Sequence, residues 1–248
     1  MKLKAWDELP DNMRCDEVRR YYDVLAKKKR AIAAKRIFDV VLSLLLLLIF
    51  SPLFMILALA IRLDSKGPVF YRQTRITACG KEFRIHKFRS MCDGADRKGS
   101  LVTVSGDSRI TRVGKLIRRF RLDEISQLLD VLSGDMSFVG TRPEVPKYVA
   151  HYTPEMLATL LMPAGITSEA CICYRDESEL LDAAKDPDRV YIEEVMPEKM
   201  KWNLRDIERF GFFRDIGIMA KTFFAVLGLV KKKEFEEVCQ EKKQPSLP

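Results

Sequence analysis

Histidine is nearly missing from this chain: His86 and His151 are the only two in 248 residues. The six cysteines, Cys15, Cys79, Cys92, Cys171, Cys173 and Cys239, form no C-x-x-C pair. A structural zinc site needs four clustered thiolate or imidazole ligands, so these spacings exclude the ordinary zinc modules. All six read as reduced thiols of a cytosolic compartment, with Cys171 and Cys173 as two small side chains on one strand face. The chain also lacks a P-loop, a G-x-S-x-G elbow and a dinucleotide-binding glycine fingerprint. P-loop phosphate hydrolysis, α/β-hydrolase chemistry and Rossmann-type hydride transfer therefore have no sequence support.

Charge is missing from one long stretch. Residues 40–61, VVLSLLLLLIFSPLFMILALAI, carry no ionisable side chain. A straight helix of that length would reach roughly 33 Å at about 1.5 Å per residue, enough to cross a bilayer. It starts too late and runs too long for a cleavable signal, and no small-residue cleavage site follows. Ser51-Pro52 sits at its middle, and an interior proline removes a backbone hydrogen bond and kinks a helix. Both flanks are basic: Lys27, Lys28, Lys29, Arg30, Lys35 and Arg36 before it, then Arg62, Lys66, Arg72 and Arg75. Positive charge gathers on the cytoplasmic side of a membrane segment, so symmetrical flanks point to a re-entrant helix hairpin with both ends in the cytoplasm. A simple span is the alternative.

Elsewhere charge is plentiful, and the net charge of +8 calls for an anionic partner. The expected fold class is α/β of the α+β kind, mostly helical. Residues 1–35 read as a polar, basic helical lead-in, 36–62 as the membrane anchor, 63–233 as a cytosolic domain and 234–248 as a polar tail. Within the domain, PVFYRQTRI and KEFRIHKFRSM form two β-rich runs around Cys79-Gly80, readable as a short hairpin. Residues 93–108 read as a loop. Arg109 to Leu132 reads as one helix with an apolar stripe at Ile125, Leu128, Leu129 and Leu132, stopped by Ser133-Gly134. Helices follow near 153–162, 176–184 and 189–205, with short strands near 166–175. Residues 210–230 are either a core helix or an amphipathic helix in the membrane interface, with Lys231, Lys232 and Lys233 at the head groups.

The chemistry gathers at RLDEISQLLDVLSGDM, residues 121–136. Asp123 and Glu124 follow six cations without an intervening acid: Arg109, Arg112, Lys115, Arg118, Arg119 and Arg121. Taken alone, the acid pair can simply open a helix, since acids in a first turn complement the macrodipole. Three features argue for more. A helix N-terminus also attracts phosphate. Arg112, Lys115 and Arg119 share a helix face. Lys87 and Arg89 add a further cationic cluster at the end of a β-rich run. Positioned cations with Mg²⁺ and an aligned carboxylate are what phosphoryl transfer requires.

KRIFDVVLSLLLLLIFSPLFMILALAIRLDSKGPVFYRQTRI, KFRSM, TRVGKLIRRFRLDEISQLLDVLSGDMSFVGTRPE and PAGIT, in that order, resemble the bacterial sugar transferases. These are small monotopic phosphoglycosyl transferases that load a polyprenol-phosphate carrier. The resemblance runs from about Lys35 to about Thr222. It implies transfer of a sugar-1-phosphate from a UDP-sugar to polyprenol (undecaprenyl) phosphate, with release of UMP, as the first step of surface-glycan or exopolysaccharide assembly. It implies Asp123 as nucleophile through an aspartyl-phosphosugar intermediate, and Glu124 beside it holding Mg²⁺. Lys87, Arg89, Ser90, Arg112, Arg118, Arg142 and Pro143 are implied to bind substrate or phosphate. Asp39, Ser51 and Pro52 are implied to shape the anchor. The implied location is the bacterial inner membrane, cytoplasmic face, with membrane lipid as a partner, a second copy of the chain as a candidate partner, and no nucleic acid. Thr141 departs from the first proline of the family's Pro-Arg-Pro motif, and Ser126 from the proline of its D-E-L-P-Q run. The first departure should loosen the turn that aims Arg142. MPAGITSEACICYRDES also departs from the commoner pattern, which leaves the sugar open. The reading from another class is a membrane-tethered, non-catalytic protein whose basic patches bind anionic lipid or nucleic acid.

Overall fold

A computed structural model describes residues 2–95, 107–174 and 186–226. The expected helix at 176–184, most of the 93–108 loop, Lys231 to Lys233, Cys239 and the tail at 234–248 lie outside these residues. The described part is mostly helical with two small two-stranded sheets, as the α+β reading expects.

The lead-in is not a loose appendage. Helix α1 (Asp16–Ala26) buries Val18, Tyr21, Tyr22 and Leu25, which fall at i, i+3, i+4 and i+7 and so form one stripe. They pack with Leu3, Leu9 and Met13 and, from the far end of the chain, with Leu204, Ile207 and Phe210. Each such large apolar side chain gains roughly 1.5–3 kcal/mol on burial. The first residues therefore close over the domain they precede. Tyr21 Oη donates to Glu155 at 2.7 Å, and Arg20 pairs with Glu208 at 3.1 Å.

After a turn at Lys27 and Lys28, helix α2 (Lys29–Asp64) runs as one helix across the expected boundary at 35/36 and through Pro52. Continuity at the proline has a local cause. Pro52 has no N–H for the Leu48 carbonyl, and the Ser51 hydroxyl donates to that carbonyl at 2.8 Å instead. One face of α2 lies on the domain. Leu42, Leu46, Leu47 and Phe50 touch one core cluster, and Phe54, Leu57 and Ile61 another. The opposite face leaves Leu44, Leu48, Ile49, Met55, Ile56 and Leu59 more than half exposed. This is the one described helix long and apolar enough to cross a membrane.

The hairpin forms as expected. Strands β1 (Phe70–Ile76) and β2 (Glu82–Phe88) pair antiparallel, with Tyr71 opposite Lys87 and Arg75 opposite Phe83. Cys79, with φ of 56°, makes the turn together with Gly80. A second pair, β3 (Met136–Val139) with β4 (Ala164–Thr167), is parallel and joins segments the sequence left unpaired. Their ends come very close: a Cβ on Gly165 would lie 2.1 Å from the Gly140 nitrogen, so only glycine fits there.

Two expectations are corrected. Arg109 to Leu132 is not one helix. Helix α3 (Arg112–Arg119) stops, Arg121 takes a left-handed φ of 53°, a 3-10 segment covers Leu122–Gln127, and helix α4 (Leu128–Ser133) follows. A helical period persists across such a break, so the apolar stripe could not reveal it. Cys171 and Cys173 lie on a short helix, α5 (Glu169–Cys173), rather than a strand. Cys15, Cys79, Cys92 and Cys171 are free thiols. Helices α6 (Met196–Glu208) and α7 (Phe212–Val226) lie toward the end of the described residues.

Candidate active site

The left-handed turn at Arg121 decides what the acid pair faces. It swings the chain back so that the 3-10 segment lies along β2, and this segment carries Asp123 and Glu124. The Ser126 hydroxyl, fully buried, lies 3.0 Å from the His86 carbonyl and 3.1 Å from the Asp123 carbonyl, and can donate to either. It fastens the acid-bearing turn to the strand that holds Lys87. A proline at position 126 has no hydroxyl to do this. Below the turn, Asp130 accepts from the His86 amide at 2.8 Å and lies 2.7 Å from His86 Nδ1, a second tie between the same two elements.

Glu124 is the better-held carboxylate. Arg142 Nη2 donates to its Oε1 at 2.7 Å, and Arg121 Nη2 donates to the same oxygen at 3.1 Å. Burial alone would raise its pKa, but Arg142, Lys87 and Arg121 together hold it well below the usual carboxylate range. Asp123 goes the other way. Burial raises its pKa, the Glu124 charge adds to this, and Lys87 and Arg121 only partly oppose them. The two adjacent acids are thus driven apart: one a fixed anion, the other a carboxylate lacking a strong cationic partner. Lys87 feels the same enclosure, and burial with the Arg142 charge brings it down to about 8. Arg142 is raised, chiefly by Glu124.

The site residues expected from sequence fall into two groups. Lys87, Asp123, Glu124 and Arg142 converge, with Pro143 buried just behind. The others lie apart from the pair. Arg89 is buried and turned toward the end of α2, where its Nη2 donates to the Ser65 carbonyl at 2.6 Å. The Ser90 carbonyl accepts from the Thr111 amide at 3.1 Å and abuts Gly114 so closely that a Cβ there would lie 1.9 Å away. Arg112 and Arg118 stand exposed on α3. Asp39, almost fully buried, accepts from the Phe138 amide at 3.3 Å and ties α2 to β3. Ser51 and Pro52 lie exposed at the middle of α2. Sequence reasoning assigned no role at the pair to Arg121. Its place in a cationic run was visible, but its backbone turn was not.

Among the described residues no group of three or more His, Cys, Asp or Glu side chains gathers to hold a metal. A carboxylate pair of this kind fits a hard divalent cation that takes its remaining ligands from water and substrate phosphate, as Mg²⁺ does. The enclosure that raises Asp123 is what a nearby cation would relieve.

A family model for bacterial sugar transferases matches residues 30–229. Among curated proteins, the chain is 35% identical over 197 residues to a UDP-N-acetylgalactosamine-undecaprenyl-phosphate N-acetylgalactosaminephosphotransferase of Aeromonas hydrophila, covering 78% of this chain and 43% of the relative. It is 35% identical over 197 residues to a UDP-glucose:undecaprenyl-phosphate glucose-1-phosphate transferase of Caulobacter vibrioides, covering 78% of this chain and 69% of the relative. A protein of the same description from Escherichia coli is 35% identical over 205 residues, covering 81% of this chain and 41% of its own length. The chain thus spans less than half of two of these relatives and about two thirds of the other.

Proposed function

Because the chain belongs to the bacterial sugar transferase family, we propose that it transfers a sugar-1-phosphate from a UDP-sugar to undecaprenyl phosphate and releases UMP. The observation that carries the reading is the divergence of the acid pair: Glu124 is fixed as an anion by two arginines, and Asp123 is left without a strong cationic partner. An Asp123 oxygen attacks the sugar-linked phosphorus, the bond from that phosphorus to the bridging oxygen breaks, and UMP leaves with that oxygen. The phosphosugar stays on the carboxylate until an oxygen of the lipid phosphate attacks the same phosphorus and frees Asp123. Two easier displacements replace one between two anions. Lys87 and Arg142 neutralise the diphosphate as charge shifts to the leaving group. Mg²⁺ held by Asp123 and Glu124 would supply further neutralisation of phosphate charge. Arg112 and Arg118, exposed on α3, are suited to lipid head groups or to the carrier phosphate on approach.

The geometry of α2 supports re-entry from the cytoplasmic face of the inner membrane. At one end, Arg36 donates to the Val131 and Leu132 carbonyls at 2.6 and 2.9 Å. At the other, Asp64 accepts from the Val113 amide at 2.9 Å, and Ile61 packs near Phe88 and Ile117. Both ends are fastened to the same catalytic body, so both belong on its side of the membrane. The bare apolar strip between them is the part that enters lipid.

The test is UMP release from a panel of UDP-sugars by the full chain in bilayer nanodiscs, with intact-protein mass read when no lipid acceptor is present. Wild type is expected to gain one phosphosugar at Asp123. Asp123→Asn is expected to lose both adduct and turnover, by about a thousandfold or more, as covalent nucleophiles do. An Asp123→Asn protein that still turns over would end the covalent reading.

A further inference from the structure

Arg142 is aimed by the segment 140–145, and this segment lacks the proline that would fix φ at position 141. Sequence alone expects a loose turn there. The structure instead clamps it from both sides. On one side, Gly140 donates to the Thr167 carbonyl at 2.9 Å and Gly165 donates to the Thr141 carbonyl at 2.8 Å, continuing the β3–β4 pair. On the other, Ile76 donates to the Glu144 carbonyl at 2.9 Å. Between these, Arg75 reaches across from β1. Its Nη1 donates to the Pro143 carbonyl at 3.0 Å, and its Nη2 donates to Gln73 Oε1 at 2.7 Å.

We propose that Arg75 is a positioning residue: through the Pro143 carbonyl it holds the peptide that aims the Arg142 guanidinium at Glu124, a task that a proline at position 141 would otherwise share. Four features support this. Arg75 and Gln73 alternate on the same face of the hairpin as Lys87, because Tyr71 pairs with Lys87 and side chains two apart share a face. The Arg75 guanidinium is therefore built into the wall that carries the site's own lysine. Its Nε is buried without a hydrogen-bond partner, so its contacts are made through the two ends of the fork. The next residue, Glu144, is buried, accepts from Tyr191 Oη and lies 4.0 Å from Lys199, so its side chain is held on the far side of the segment. Glu144 also supports the Arg75 charge against burial. A lysine at position 75 could carry the charge but could not reach Pro143 and Gln73 at once, because it lacks the planar fork.

This inference rests on the proposed transfer reaction, so its test has one arm that needs no turnover. In the first arm, amide hydrogen exchange is followed in peptides covering 140–146 in wild type, Arg75→Ala, Thr141→Pro and the double variant. Arg75→Ala is expected to speed exchange in that segment by about tenfold, and Thr141→Pro to reverse most of the change. In the second arm, with the UDP-sugar that wild type uses, Arg75→Ala is expected to lower kcat/KM by about tenfold to a hundredfold, mostly through kcat. The same substitution is expected to cost only a few-fold when Thr141→Pro is present. Gln73→Leu, which leaves the Pro143 contact but removes its brace, should show the same coupling at smaller size and serves if Arg75→Ala does not fold. Equal losses in both backgrounds, or unchanged exchange at 140–146, would overturn the assignment. Absence of UMP release by wild type would count against the reaction alone, since the exchange arm would still decide the role of Arg75.

Discussion

Two sets of cations in this protein come from similar sequence and meet opposite fates. Arg112, Lys115, Arg118 and Arg119 stand exposed along α3, beside Leu116 and Phe120, which are also more than half exposed. Lys87, Arg121 and Arg142 come from three separate segments and converge on two carboxylates, Lys87 and Arg142 from enclosed positions and Arg121 from an exposed one. The first set is dense in the chain and diffuse in space; the second is scattered in the chain and dense in space. Exposed charges act through water of high dielectric and are screened within about 8 Å at physiological salt. Enclosed ones act on one another strongly enough to split the pKa values of neighbouring acids. Counting cations along the sequence therefore found the attraction for anions but not the place where cations and acids converge.

The strongest way to break the contrast is to remove one cation from each set. Arg142→Ala should lower kcat by about a hundredfold or more, since it withdraws a positioned donor from a partly enclosed site. Arg119→Ala should stay within about threefold, as surface charges away from the reacting groups usually do. Both are read from initial rates of UMP release. Similar losses for the two would erase the distinction.

Titration sharpens it further. Lys87 is brought from 10.5 to about 8 by burial and the Arg142 charge. If its charge is needed for binding diphosphate, kcat/KM should fall roughly tenfold per pH unit above about pH 8. Stability should move the other way. Between about 8 and 10.5 the unfolded chain holds a proton at Lys87 that the folded chain has released, so this group's contribution to stability rises with pH across that window. Lys87→Arg should carry the activity plateau to higher pH. A rate profile flat to pH 9.5 in wild type would remove Lys87 from the site.

The smallest effect on turnover is expected from α3. Replacing Arg112, Lys115 and Arg119 together with Gln should weaken attachment to anionic vesicles by about 1 kcal/mol per cation, more at low salt. The rate in detergent should change by only a few-fold. A flotation assay at two salt concentrations reads the first, and UMP release the second. Loss of turnover as large as that of Arg142→Ala would place α3 at the reacting phosphate.

The apolar helix α2, the β1–β2 hairpin and the acid pair were all legible before the fold, because each depends on residues close together in the chain. An apolar run needs only its own composition, a hairpin only alternation and a turn, and Asp123-Glu124 only adjacency. The stop at Gly134 was legible for the same reason, as a glycine after the last periodic residue, and it takes a left-handed φ of 93°. The break at Arg121 was not, since an arginine carries no signal for a left-handed turn and takes one here because the surrounding packing requires it. Nor did Arg89 or Ser90 announce that they would fasten α2 and α3 and stay away from the acids. The parallel β3–β4 pair, the closure of α1 over Leu204 and Ile207, and the clamp from Arg75 to Pro143 each join residues far apart in sequence. The sequence by itself determined an apolar run long enough to cross a membrane, an excess of positive charge and an adjacent acid pair. Only the tertiary structure decided which cations face Asp123 and Glu124, because that choice is made by long-range backbone pairing and by how deeply each charge is enclosed.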